Sequence, residues 1–254
     1  MTGELTLLLS GETLAWVLLA ALASAIIGGI GGFGTGIILT AVLVPLIGVK
    51  AVVPVLSLAG VLINGGRFWF YRRQVDWRAV RYVLVGALPC LLAGTWIYAQ
   101  LDARPLGLVI AALILASVPL RRWLKARRVE IGPRGLLIGG AVFGAANGFA
   151  SGMGVIVVSL LLGTGLGGAA VLATDALIAI VVDIARALLF GRYQLLDAGS
   201  AALGIAIGLA TLPGSWLASL LVQRLHARLH LWMMETLIIA GAAMILWNSL
   251  RVPG

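Results

Sequence analysis

Two glycine-rich stretches, 28–36 and 147–154, are the residues of this chain best suited to bind a small anion. Each stretch interrupts an apolar run, and a helix that restarts after such a break offers unpaired N–H groups and the positive end of its dipole. Because glycine has no side chain, an anion can come close to these N–H groups. The predicted anion site comprises Gly32, Gly34, Thr35, Gly36, Asn147, Ser151, Gly152 and Gly154. The alternative is that these small residues only let helices pack closely.

Charged side chains inside apolar runs form a second group of candidates. A charge at the bilayer centre costs on the order of 2.5–3.5 kcal/mol on insertion scales, so such residues are rare without a function. Arg67 and Arg186 could attract an anion, although the sequence slightly favours the alternative that each reaches the nearer membrane interface. Asp183 precedes Arg186 by three residues, so the two share a helix face and can pair.

Asp175 differs from Asp183 because it has no basic partner on its own stretch of helix. An acid inside the membrane is by default a functional hypothesis. We therefore predict that Asp175 carries a coupling proton, with Thr174 beside it. The alternative is a packing hydrogen bond. Arg67 and Arg186 join these two residues as coupling or gating candidates.

The composition indicates which elements must position these residues. The chain has 254 residues, of which 61% are hydrophobic and 11% charged, and its mean hydropathy is +1.11. Soluble domains have about 25% charged residues. The net charge of +9 comes from basic residues in the connections between apolar runs, which is typical of membrane topology and does not indicate a nucleic-acid partner. The sequence predicts an all-α polytopic membrane protein with the lipid bilayer as its surroundings.

The chain also contains an internal duplication. The matching pairs, in order, are 34–36 with 152–154, Arg67 with Arg186, 94–96 with 214–216 and 101–104 with 225–228. We predict a single membrane domain over residues 1–254, with repeat one at about 12–120, a basic cytoplasmic linker at about 121–135 and repeat two at about 136–250. In an apolar chain such duplication is typical of transporters that bind their substrate between the repeats.

Ten apolar segments are expected to form the helices. They are 14–30, 36–47, 51–71, 82–99, 106–120, 136–150, 155–162, 169–190, 198–222 and 231–250. Segments 36–47 and 155–162 are too short to span, since about 20 residues are needed. They occupy equivalent places in the two repeats, so we predict about eight spanning helices plus two broken or re-entrant segments.

The basic connections predict the orientation. Twelve Lys and Arg residues lie in connections that can share one side of the membrane, against four on the other. The richer side is expected to be cytoplasmic, which places both termini outside. The repeats then run in opposite directions, and such inverted repeats form two alternative gates around one site.

The order of these motifs resembles the sulfite exporter TauE/SafE family of bacterial membrane permeases. The resemblance covers about residues 14–250 and is carried by the first glycine-rich turn with Pro45 downstream, by 48–57, by 71–77 with its Val75-Asp76-Trp77 ending, by 148–152 and by 170–175. The chain departs from the family in having no proline between Val155 and Gly163. The resemblance implies export of small oxyanions such as sulfite or organosulfonates across a bacterial plasma membrane.

The predicted function is therefore a secondary transporter, with proton coupling through Asp175 as its candidate mechanism. The alternatives are a permease for another small solute or a membrane scaffold that transports nothing. An intramembrane serine protease is rejected, because Ser151 would need a histidine base, and the histidines His226 and His230 lie outside the apolar runs. No cofactor or metal is expected, and the oligomeric state is left open.

Overall fold

The structure is a computed structural model that describes residues 11–31, 35–127 and 130–221, together with isolated residues between 236 and 250. Within these ranges the chain is α-helical, apart from one 3-10 turn (Arg72–Gln74) and short connections. The helices are α1 (Gly11–Gly31), α2 (Thr35–Ile47), α3 (Val49–Tyr71), α4 (Trp77–Gln100), α5 (Ala103–Arg127), α6 (Pro133–Phe149), α7 (Gly154–Gly163), α8 (Gly168–Arg192) and α9 (Ala198–Leu221). The predicted all-α class is confirmed.

Helix length separates the spanning helices from the broken ones. By length and composition, α3 with its following turn, α4, α8 and α9 can each cross a membrane. In contrast, α2 has 13 residues and α7 has 10, so both are too short to span, as predicted. Four spanning helices thus lie within the described residues, and the total of about eight stays a prediction. Helix α5 continues to Arg127 and so includes the first part of the basic linker.

The packing of the helices has the same scheme in both halves of the chain. The most extensive contacts are those of α4 with α6 and of α9 with α1. Counted from α1 in the first half and from α6 in the second, each contact joins the fourth helix of one half to the first helix of the other. The third helices of the halves, α3 and α8, pack on each other, and α3 is the most buried of the spanning helices. The inverted direction of the halves stays a prediction.

The contact between α4 and α6 depends on glycines spaced four residues apart. Gly140, Gly144 and Gly148 share one face of α6, because residues four apart lie above one another on a helix. A side-chain carbon added at Gly148 would lie 2.7 Å from Cα of Gly94 on α4. The two backbones therefore approach as closely as small residues allow. This close packing holds α6, and the break that follows it, against α4.

Candidate functional site

The beginning of α2 and the turn before α7 meet backbone to backbone at Gly36 and Gly152. Helix α6 ends at Phe149, and α7 begins at Gly154 after a turn in which Gly152 has a φ of +88°. A side-chain carbon added at Gly36 would lie 2.9 Å from the backbone nitrogen of Gly152. One added at Gly152 would lie 2.8 Å from the backbone nitrogen of Ile37. The beginnings of α2 and α7 therefore lie side by side only because both positions are glycine.

A cavity of about 80 Å³ adjoins this contact. It is lined by side chains and backbone from α2, α3, α6, α7, α8 and the turn before α7. The predicted site residues along its wall are Thr35, Gly36, Asn147, Ser151, Gly152 and Gly154, together with the coupling candidates Arg67, Asp175 and Arg186. A water needs roughly 10–15 Å³ measured in this way, so the cavity has room for several waters or for one small oxyanion. Gly32 and Gly34 lie outside the described residues.

Arg186 lies in the cavity wall and holds the broken end of α6. Its side chain is 2% exposed. Nη2 donates to Oδ1 of Asp183 at 2.7 Å, as the spacing of the two residues predicts. Nη1 donates to the backbone carbonyls of Asn147 at 2.8 Å and Ala150 at 3.4 Å. A cation is favourable at the carbonyl end of a helix. The prediction that Arg186 reaches the membrane interface is wrong, because its side chain is buried in the cavity wall.

Arg67 forms an ion pair that crosses between the halves of the chain. Its Nη1 lies 3.2 Å from Oδ2 of Asp175 on α8. The Arg67 side chain is 21% exposed and the Asp175 side chain 4%. Asp175, which has no basic partner on its own helix, thus finds one on α3. The guanidinium of Arg67 is therefore directed towards α8.

Asn64 is a cavity residue that the sequence reasoning did not include in the site. Its Nδ2 donates to the carbonyl of Gly60 at 2.9 Å and to Oδ2 of Asp183 at 3.4 Å. The internal duplication could have identified Asn64, because Asn64 and Asp183 are 119 residues apart, the same offset that separates Arg67 from Arg186. Repeat one therefore carries an amide where repeat two carries an acid, and Arg67 pairs with Asp175 instead.

The hydrogen bonds of the remaining predicted residues divide them into two groups. Oγ1 of Thr35 donates to the carbonyl of Ser24 at 3.4 Å, and Nδ2 of Asn147 donates to the carbonyl of Phe143 at 3.2 Å. Among the described groups, Oγ of Ser151, Oδ1 of Asp175 and Nε of Arg186 are buried without a hydrogen-bond partner. All three residues line the cavity. Most buried polar groups in folded proteins have a partner, so these three atoms stand out among the described groups.

Thr174 lies outside the cavity wall. Its Oγ1 accepts a hydrogen bond from the backbone nitrogen of Asp76 at 3.0 Å, and Oδ1 of Asp76 accepts one from the backbone nitrogen of Ala79 at 2.9 Å. Thr174 thus ties α8 to the beginning of α4, next to the Asp175 position. The coupling role of Thr174 stays a prediction.

Comparison with known proteins identifies the family. A protein-family model described as sulfite exporter TauE/SafE matches residues 17–245. The chain belongs to the sulfite exporter TauE/SafE family. No curated protein and no solved structure matches it. The TauE/SafE match includes the two broken helices and the whole cavity, and with the apolar helices it makes this chain a multi-pass membrane transporter.

Proposed function

We propose that this TauE/SafE protein is a secondary transporter that exports small oxyanions, such as sulfite or organosulfonates, and binds them in the central cavity. The observation that carries the proposal is the meeting of two broken helices at a small cavity with two guanidinium groups in its wall. Helix N-termini and arginines both favour anions. An oxyanion in the cavity would accept hydrogen bonds from Oγ of Ser151 and Nε of Arg186.

The exchange of packing partners between the halves supports alternating access. Because α4 packs on α6 and α9 on α1, each half holds the first helix of the other. We propose that the halves move against each other around the fixed cavity, as expected for inverted repeats. The ion pair between Arg67 and Asp175 joins α3 to α8 across this boundary and would break and reform during the movement.

The coupling ion in this proposal is the proton, with Asp175 as its carrier. Asp175 lines the cavity, is paired to Arg67 through one oxygen only and has its other oxygen without a hydrogen-bond partner among the described groups. We further propose that the protein resides in a bacterial plasma membrane with both termini outside, as the asymmetry of its basic connections predicts.

The experiment is a flux assay in liposomes that contain the purified protein. Efflux of labelled sulfite and of labelled methanesulfonate is measured with and without a pH gradient, against protein-free liposomes. We expect protein-dependent flux that the pH gradient drives. Correctly folded protein without flux of either anion would contradict the proposal and would favour the two alternatives, a permease for another solute or a scaffold.

A further inference from the structure

Among the residues that the structure describes, the charged side chains in the cavity wall cancel when all four are ionised. Two guanidinium groups, those of Arg67 and Arg186, face two carboxylates, those of Asp175 and Asp183. An anion that entered alone would leave the buried site with one unbalanced negative charge. Uncompensated charges are expensive in a low-dielectric interior. Removal of one negative charge from the wall therefore favours binding of an anion.

The buried atoms without a hydrogen-bond partner indicate which negative charge is removed. Ser151 and Arg186 each have a buried donor without a hydrogen-bond partner. Oδ1 of Asp175 is a buried acceptor without a partner while the carboxylate is ionised. A sulfonate group has only acceptor oxygens to offer to these atoms, so it is repelled at Asp175. A proton on Oδ1 converts this atom into a third donor. The protonated cavity then offers three donors and one net positive charge to the anion.

Asp183 is less suited to receive the proton, because both of its oxygens are engaged. Its Oδ1 accepts from Arg186 at 2.7 Å and its Oδ2 accepts from Asn64 at 3.4 Å. Asp175 is engaged through Oδ2 alone, in a longer ion pair of 3.2 Å with the more exposed of the two arginines. Protonation of Asp175 therefore disturbs fewer contacts.

The other charged groups around Asp175 within the described part of the chain leave this balance unchanged. Helix α3 contributes Arg67, and α8 itself contributes Asp183 and Arg186 two to three turns further on. Helices α6 and α7 contribute no charged side chain to the cavity wall. The 3-10 turn and the beginning of α4 carry exposed arginines and one carboxylate that caps α4: Arg72, Arg73, Arg78, Arg81 and Asp76.

We propose that each monovalent oxyanion crosses together with one proton, carried on Oδ1 of Asp175, so that the loaded and the empty cavity have the same net charge. This inference rests on the proposed transport function and specifies its stoichiometry. The O–H bond forms with a proton from the solution on the side where the anion enters, and it breaks when the anion leaves on the other side. Transport of a monovalent anion is then electrically neutral.

The test measures protons and charge in proteoliposomes with labelled methanesulfonate, which is monovalent throughout the neutral pH range. Internal pH is followed with an enclosed dye, and the membrane potential is set with potassium and valinomycin. We expect one proton per anion and a flux that the potential leaves unchanged. A flux that follows the potential without proton movement would overturn the inference and leave the transport function standing.

Asp175→Asn provides a second readout, with Asp197→Asn as its matched control. Asparagine at position 175 takes up no proton, so the described cavity wall has a net charge of +1 when empty and the anion brings it to zero. We expect proton movement in Asp175→Asn to fall to the protein-free background while the remaining anion flux becomes sensitive to the potential. Asp197 caps α9 outside the cavity, so Asp197→Asn should behave as the unmodified protein. If Asp175→Asn still moved one proton per anion, Asp175 would not be the carrier.

The outcomes separate this inference from the function on which it depends. If neither sulfite nor methanesulfonate moves, the transport proposal fails and the stoichiometry fails with it. If sulfite moves and methanesulfonate does not, transport stands and the assignment of monovalent sulfonate-sized anions is overturned. If Asp175→Asn does not fold, the proton-to-anion ratio of the unmodified protein decides the question alone.

Discussion

Substitution of Gly152 by alanine tests whether the contact between the two broken helices is needed for transport. Gly152 has a φ of +88° and faces the beginning of α2. Gly165 is a matched control, because its φ is +84° and an added side-chain carbon there would meet nothing within 4 Å. The two alanine variants share the strain of the left-handed backbone. They differ only in the close approach.

The geometry sets the expected magnitudes. The left-handed conformation costs an alanine about 1–2 kcal/mol at either position. At Gly152 the added carbon would also lie 2.8 Å from the backbone nitrogen of Ile37, which cannot rotate away. Such overpacking costs about 1–3 kcal/mol more. If this extra energy opposes the anion-bound arrangement, the apparent affinity for the anion falls between about 5-fold and 150-fold.

The assay compares thermal stability and sulfite flux of the two variants. Gly165→Ala should lower the unfolding temperature by about 2–4 °C for each kcal/mol and should keep its transport. Gly152→Ala should be less stable than Gly165→Ala and should have strongly reduced flux at low sulfite concentration. Equal stability and equal flux in the two variants would refute the argument that the glycine contact builds the site.

Three further substitutions test other contacts. Arg186→Met removes the ion-pair partner of Asp183 and the cation at the end of α6, and it should cost about 3–5 kcal/mol of stability. Part of this stability should return when Asp183→Leu is added. A thermal melt without this recovery would contradict the buried pair. Gly60→Ala would place a methyl group on Oδ2 of Asp183 and should reduce flux, whereas Gly65→Ala, which meets nothing within 4 Å, should not. The hydrogen bond from the backbone of Ser200 lowers the pKa of Asp197, so the cap contributes stability above the usual aspartate pKa of about 3.9 and loses it as the pH falls through the lowered value. Asp197→Ala should therefore cost about 0.5–2 kcal/mol at neutral pH and less in acid, as denaturation at several pH values would measure.

The sequence alone determined the features that depend on local composition. Long apolar runs require helices in a bilayer, because every backbone group must then find a partner within its own segment. Glycine-rich breaks and short apolar segments predicted α2 and α7, and the spacing of three residues predicted the pair of Asp183 with Arg186. Each of these features depends on residues that lie within one or two helical turns of one another.

Only the tertiary structure decided which distant groups meet. Arg67 and Asp175 are 108 residues apart, and their pairing depends on how α3 packs against α8. The position of Arg186 near the end of an apolar run suggested the membrane interface, yet the carbonyls of Asn147 and Ala150 hold it inside. A charged side chain in a membrane protein goes where its hydrogen bonds are best satisfied, and in this protein those partners come from other helices whose positions no local pattern specifies.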